Sequence, residues 1–310
     1  MKIAIVGAGA MGCLFAGLLS RTKEEIWLLD KSSDKAARIR QQGITVETAS
    51  GSWQARPKVT ADIAEAGQAD LVIICVKAYH TKDAVTQVKP LIGENTRVLT
   101  LQNGLGNIEV ISEVAGPEKV IGGVTSQGAT LVSAGSIKYA GKGETIIGRI
   151  DGKIPVEMRS IREVFNKAGI ETRISRDIKG LLWSKLIINA GINALAAIVR
   201  VKNGRLIELE PCRRIMQDAV SEAAKIAKRK RIKLIYDDPL SKVEAVCEAT
   251  AANVCSMLQD ILKKKRTEID FINGAIVRQA QGLGIPVPAN AMLTDLIKAI
   301  EASYNISEVK

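Results

Sequence analysis

Lys185, Asn189 and Asn193 stand at every fourth position of residues 181–193, where nearly every other side chain is apolar. On a helix this i, i+4, i+8 spacing holds all three within roughly 80° of one face. The apolar surroundings mark the helix as buried. A buried ammonium and two amides are costly without partners. The partner is either protein, giving a structural network, or a polar ligand at the mouth of a cleft. His80 is the only histidine, so a histidine triad, a two-histidine metal site and a His–Asp relay are excluded, and no metal site is expected.

A second polar constellation is Arg266-Thr267-Glu268-Ile269-Asp270-Phe271-Ile272-Asn273-Gly274. Thr267 is spaced to cap a helix with Asp270 three residues on, close to a capping box. Glu268 then falls in the first turn, where the helix dipole favours a carboxylate. Glu268 reads equally as a helix-end residue and as a site carboxylate.

A third lies at the chain's start, where Gly7-Ala8-Gly9-Ala10-Met11-Gly12 forms a G-x-G-x-x-G between an apolar strand and a helix pattern. Gly7 permits the tight turn, Gly9 lets the backbone approach a pyrophosphate, and Gly12 lets helix and strand pack closely. The helix N-terminus offers amides and partial positive charge to phosphates. Asp30 lies 18 residues after Gly12, at the end of the second expected strand, where an acidic side chain binds the ribose hydroxyls of NAD. Lys31, Ser32 and Ser33 follow and suit a 2′-phosphate, so NAD(H) and NADP(H) both stay open. Lys77, and Asn103 of Gln102-Asn103-Gly104, follow later strands at the carboxyl ends where open α/β sheets bind ligands. For Lys77 a solvated loop lysine is an equal reading.

These groups need a scaffold. Strands are expected at residues 2–6, 26–30, 71–76 and 97–101, with helical spacing between them, as in a doubly wound parallel sheet. The glycine-rich stretch 122–148 carries β runs at 136–139 and 145–147, expected as antiparallel edge strands. A helix at 156–168 and a strand at 171–174 complete the unit. Beyond it, helical periodicity covers 177–199, 211–230, 242–262, 267–281 and 289–302, with turn residues between. The fold class is therefore α/β: a Rossmann-type domain over residues 1–174, then an all-helical domain over 175–310.

Composition narrows the setting. The 310 residues suit two domains, and aromatics at 3% mean that aliphatic side chains fill the cores. Apolar runs such as 71–76 and 194–199 fall short of a membrane span. No signal-peptide pattern precedes the first strand, so a soluble cytoplasmic protein without membrane partners is expected. The five cysteines include no Cys-x-x-Cys and read as reduced thiols. The charge of +11 concentrates in runs at 228–233 and 263–266. Without interleaved aromatics or a nucleic-acid motif, these read as solvated helix ends that help steer anionic ligands. No nucleic-acid partner is expected.

Taken in order, these motifs resemble the ketopantoate reductase family, the 2-dehydropantoate 2-reductases. The resemblance runs from the strand and glycine motif through Val76-Lys77, Gln102-Asn103-Gly104, Trp183-Ser184-Lys185 with Asn189 and Asn193, Asn203-Gly204, and Asn253 to Ser256, to the Arg266–Gly274 block. The last is the most specific, because other dehydrogenases with a Lys-x-x-x-Asn helix lack it. The resemblance implies NAD(P)H-dependent reduction of ketopantoate to pantoate, a step towards pantothenate and coenzyme A. It implies Lys185 as general acid and Glu268 as a second active-site residue that also borders the cofactor. Lys185, Asn189, Asn193, Asn203, Asn253 and Ser256 would contact substrate; Lys77, Asn103 and Ala129 would join the glycine loop, Asp30 and Lys31 along the cofactor. A homodimer is compatible with it. The chain departs from the family pattern at Asp30 before Lys31, at Ala194 where proline is common, and at Gln127 where some members have histidine. The first leaves cofactor choice open. A reductase for another 2-keto acid is the nearest alternative. A dinucleotide sensor is the non-enzymatic one, and it has no need of a proton donor.

Overall fold

The computed structural model describes residues 1–304 and 306. Two compact units emerge: Met1–Gln102 with Asn107–Ile178, and Asn103–Gly106 with the chain from Lys179 onward.

The first unit holds twelve strands in two sheets. In chain order they are β1 (Lys2–Val6), β2 (Glu25–Leu29), β3 (Ile44–Thr48), β4 (Gly51–Ala55), β5 (Lys58–Thr60) and β6 (Leu71–Ile74). Then come β7 (Arg97–Thr100), β8 (Val120–Thr125), β9 (Gly128–Ser133), β10 (Ser136–Gly141), β11 (Thr145–Gly148) and β12 (Thr172–Ile174). The eight-stranded sheet has the order β12-β11-β8-β7-β6-β1-β2-β5. Its strands from β5 to β8 run parallel, β11 pairs antiparallel to β8, and β12 follows β11. Helices α1 (Ala10–Leu19), α2 (Ser33–Gln42), α3 (Ile63–Ala66), α4 (Thr81–Gln87), α5 (Asn107–Ala115) and α6 (Val156–Lys167) connect the strands. Because side chains alternate along a strand, Ile3 and Ile5 enter a core with Phe15 and Phe165. Ala4 and Val6 enter another with Val72, Val85 and Ile111. Both faces of the sheet are thus covered, as a parallel sheet requires.

The β runs of the glycine-rich stretch divide differently from expectation. Residues 145–147 do join the main sheet, in β11. Residues 136–139 form β10, which lies in a separate sheet of order β4-β3-β10-β9. Gly135 makes the turn at φ +76° and its carbonyl accepts from Thr45 N at 2.7 Å. That starts the parallel pairing of β10 with β3 and buries Ile137 in the core shared with α1.

The second unit is helical throughout its described residues: α7 (Ile178–Val199), α8 (Arg205–Glu208), α9 (Glu210–Arg229), α10 (Pro239–Ala249), α11 (Ser256–Leu262), α12 (Asn273–Gln281) and α13 (Pro288–Ser303). Their apolar faces share one core built around Leu186, Ile187, Met216, Val220, Ile276 and Ile297. Contrary to the expectation from the short apolar runs, the 22 residues of α7 are long and apolar enough to cross a membrane. Yet 67% of its most apolar window is buried inside the protein, which marks a core helix.

Two expected helices break. The span 242–262 divides into α10 and α11, because residues 250–253 bond across to the start of α8: Asn203 N donates to Asn253 O at 3.1 Å and Gly204 N to Ala251 O at 3.3 Å. The span 267–281 begins as a single 3-10 turn, Ile269–Phe271, and Ile272 at φ −108°, ψ −95° interrupts the helix before α12. Phe271 O instead accepts from Leu105 N at 3.0 Å. The capping box does not form. Thr267 Oγ1 does accept from Ile269 N at 3.2 Å, but Asp270 pairs with Lys298 at 2.7 Å and Arg266 at 3.3 Å.

Candidate active site

In the first unit the strand order reverses at β1, which lies between β6 and β2. Ligands of doubly wound sheets bind at the carboxyl end of such a switch point, and three predicted segments meet there. Gly7 turns at φ +103°, and a Cβ on it would lie 2.8 Å from Val76 Cγ1, so the glycine loop touches the segment carrying Lys77. A Cβ on Gly12 would lie 1.9 Å from Gly7 O, which makes that glycine obligatory for packing. A Cβ on Gly9 would meet nothing within 4 Å. The three glycines therefore do different work: two fit protein against protein, and Gly9 leaves an open face.

Helix α1 starts at that open face without a side-chain cap. Its first helical bond runs from Cys13 N to Gly9 O at 3.0 Å, so the amides of Ala10, Met11 and Gly12 are left over by the helix itself. This arrangement fits the diphosphate of a dinucleotide, which would accept from those amides beside Gly9. Lys77 is half-buried and precedes a 3-10 turn, Ala78–His80. Lys31 is exposed. Ala129 lies in β9, which packs on α1.

Asp30 is more committed than its position suggests. Its Oδ2 accepts from Ala8 N at 2.9 Å and from Lys35 Nζ at 2.8 Å, and its Oδ1 accepts from Ser32 N at 3.1 Å. It ties the glycine loop to the start of α2. Sequence reasoning passed over Lys35; the signal was a lysine in the first turn of α2, where the helix dipole disfavours a cation.

The thiols near this loop are inert. Burial pushes Cys13 up to about 11 and Cys75 up to about 12, well above the range of a reactive thiolate.

In the second unit, α7 carries Lys185 and Asn189 half-buried and Asn193 buried. Among the described residues neither asparagine amide has a hydrogen-bond partner. Burial pulls the Lys185 ammonium down to about 8, and the nearby Glu268 carboxylate pulls the other way. Glu268 is 7% exposed. Two fastenings hold this region. Ser184 Oγ accepts from Ile235 N at 3.0 Å while its carbonyl accepts from Tyr236 Oη at 2.8 Å, which fixes the turn of α7 that presents Lys185. Asn273, fully buried, donates through Nδ2 to Ala190 O and Asn290 Oδ1, both at 3.1 Å, which pins the Glu268 block to the middle of α7.

The break between α10 and α11 brings the remaining polar residues into the same unit. Cys255 Sγ reaches Asn193 O at 3.6 Å and accepts from Leu258 N at 3.4 Å, so it caps α11 and fastens it beside Asn193. Ser256, the first residue of α11, is exposed, as is Asn253 in the preceding loop. Asn203 differs from them. It is 7% exposed, its Nδ2 donates to Thr250 Oγ1 at 2.9 Å, and its Oδ1 is buried without a partner among the described residues. That places Asn203 as a brace for the Thr250–Asn253 turn with one acceptor left over. Asn103 belongs to this unit too, in the segment that Leu105 fastens to the Glu268 block. A Cβ on Gly104 would lie 2.2 Å from Phe271 O, so only glycine allows that approach.

Comparison with known proteins fits this two-part geometry. The family model for ketopantoate reductase PanE/ApbA matches residues 3–152, and that for its C-terminal domain matches residues 177–301. A 2-dehydropantoate 2-reductase of Pyrococcus horikoshii is 38% identical over 97% of this chain and 98% of its own length. The chain belongs to the ketopantoate reductase family. The Aquifex aeolicus 2-dehydropantoate 2-reductase is 34% identical, with 99% of each chain covered. Among solved structures, a PanE/ApbA family ketopantoate reductase from Ralstonia eutropha superposes with a TM-score of 0.90 at 33% identity, covering 98% of this chain and 99% of the other. A D-mandelate dehydrogenase solved with NADH and anilino(oxo)acetate gives 0.91 at 28% identity, covering 99% and 100%.

Proposed function

We propose that this protein is a 2-dehydropantoate 2-reductase, reducing ketopantoate to pantoate with NADH or NADPH. The observation that carries the reading is the half-buried Lys185, depressed by burial and near Glu268, with the amides of Asn189 and Asn193, unpaired among the described residues, one and two turns further along α7. In this reading Gly9 and the first amides of α1 hold the diphosphate, and Lys77, Asn103 and Ala129 border the rest of the cofactor. When bound, the nicotinamide supplies hydride to C2 of the keto acid. As negative charge grows on the carbonyl oxygen, the Lys185 ammonium stabilises it and delivers the proton, giving the 2-hydroxy acid. Glu268 favours the charged form of Lys185 before the reaction and helps restore its proton afterwards. Asn189, Asn193, Asn253 and Ser256 offer amide and hydroxyl groups to the carboxylate and terminal hydroxyl of ketopantoate, with Asn203 bracing the turn that carries Asn253. A cytoplasmic setting accompanies this reading, since all five thiols are free, as in a reducing compartment.

The D-mandelate dehydrogenase likeness favours a second reading, a reductase of the same architecture for a different 2-keto acid. Paired assays with ketopantoate and 2-ketoisovalerate, followed by nicotinamide absorbance, separate the two. A site that hydrogen-bonds a substrate hydroxyl rejects analogues lacking it by up to roughly 10⁴–10⁵-fold. We expect kcat/KM at least about 100-fold higher for ketopantoate. Equal efficiency would leave a keto acid reductase and remove ketopantoate as its substrate.

A further inference from the structure

We propose that Lys35 sets the choice between NADH and NADPH by neutralising Asp30. The inference rests on the dinucleotide reading of the glycine loop and extends it to the adenosine ribose.

An acidic side chain at the end of the second strand accepts from the ribose hydroxyls of NAD, and its charge repels a 2′-phosphate at the same place. Asp30 occupies that position, but not as a free carboxylate. Lys35 Nζ lies 2.8 Å from Oδ2, and the same oxygen takes Ala8 N at 2.9 Å. The two side chains are 11% and 28% exposed, so water screens the pair less than it would on an open surface. Lys35 is the third residue of α2, whose cap Ser32 accepts its amide at 3.3 Å. A cation there opposes the helix dipole, and Asp30 is the counter-charge that holds it.

The pair therefore has two effects on a ribose. It removes the net negative charge that would exclude a 2′-phosphate. It also leaves Oδ1, engaged by the Ser32 amide alone, with a lone pair for a hydroxyl. A neutral pair accepts both cofactors; an unpaired Asp30 selects NADH. The basic residue that admits the phosphate is thus supplied from the first turn of α2, not only from Lys31.

Calorimetric titration of the full-length protein with 2′,5′-ADP and with ADP reads this without turnover. Wild type should bind the two within about tenfold of each other. Lys35→Met should weaken 2′,5′-ADP relative to ADP by at least about tenfold, because like charges are then juxtaposed. Lys35→Arg should keep the wild-type ratio. The double variant Asp30→Asn/Lys35→Met should recover most of it, since both charges are gone and their coupling with them. Lys35→Gln replaces the methionine variant if that one melts early. The NADPH to NADH ratio of kcat/KM should follow the same order, through KM rather than kcat. An unchanged ratio in Lys35→Met, with both nucleotides still bound, overturns the role of Lys35 and leaves the dinucleotide reading intact. Wild-type protein that binds neither nucleotide overturns the dinucleotide reading itself.

Discussion

The candidate groups of the two units are made of different materials. In the first, the proposed cofactor site is backbone: Gly9 leaves an open face and α1 leaves three amides, with the Asp30–Lys35 ion pair beside them. In the second, the proposed catalytic groups are side chains: Lys185, Glu268 and a group of asparagines stand against an apolar core. A backbone site costs little stability, because its amides are helix-end groups that would be left over anyway. A side-chain site is expensive, because a desolvated ammonium and unpaired amides oppose folding. Binding and proton transfer should therefore respond separately to substitution, and stability should respond in opposite senses in the two units.

The sharpest break comes from Lys185→Met. We expect kcat to fall by at least about 100-fold, the lower scale for losing a general acid, while NAD(P)H affinity from fluorescence titration stays at the wild-type value. Near-normal turnover would sink the role given to Lys185.

Next in size are two glycines of the first unit. Gly9→Ala adds a methyl that meets no residue beyond its chain neighbours within 4 Å, so its melting temperature should match wild type while KM for the cofactor rises about tenfold. Gly12→Ala puts that methyl 1.9 Å from Gly7 O and should cost about 1–3 kcal/mol or more in a denaturant melt. If the two variants behave alike, the division of labour among the glycines is wrong.

The pH dependence of kcat/KM gives a smaller and more specific effect. The Lys185 ammonium, held at about 8, is the acid form, so activity is complete below that value and declines as pH rises through it. Glu268 raises the Lys185 pKa, so Glu268→Gln should move the alkaline limb to lower pH. A limb that stays in place would separate Glu268 from Lys185.

The smallest expected effect has the opposite sign from the first. Because burial opposes the Lys185 charge, Lys185→Met should stabilise the fold at neutral pH while lowering activity. About 1 kcal/mol gained corresponds to a rise of about 2–4 °C in Tm for a chain of this size. A lower Tm would mean that Lys185 is a structural partner first.

The same contrast governs how much of the protein is legible in its sequence. The glycine loop is legible because each glycine answers a local demand: a positive φ at Gly7, an open approach at Gly9, a close packing at Gly12. The Lys185 stripe is legible because a helix converts spacing into a shared face, and the helices and most strands of the first unit follow the same local logic. What surrounds these features is not local. Apolar spacing runs one helix through 242–262, because it does not reveal that Asn203 and Gly204 take the carbonyls at 253 and 251. The same kind of spacing assigns Asp270 to a cap, though Lys298, far along the chain, claims that carboxylate. Asp30 is a local exception: it reads as a free acceptor, although Lys35, five residues on, claims it.

By itself, then, the sequence determined the backbone features, the helix face carrying Lys185 and the alternation that builds the doubly wound sheet, since periods of two and 3.6 residues fix which side chains share a side. Tertiary structure alone decided which distant groups meet: Glu268 near Lys185, Lys298 on Asp270, and Asn273 pinning α12 to α7. Those pairings depend on distances between segments far apart in the chain, and such distances are set by packing the cores, not by any neighbour in sequence.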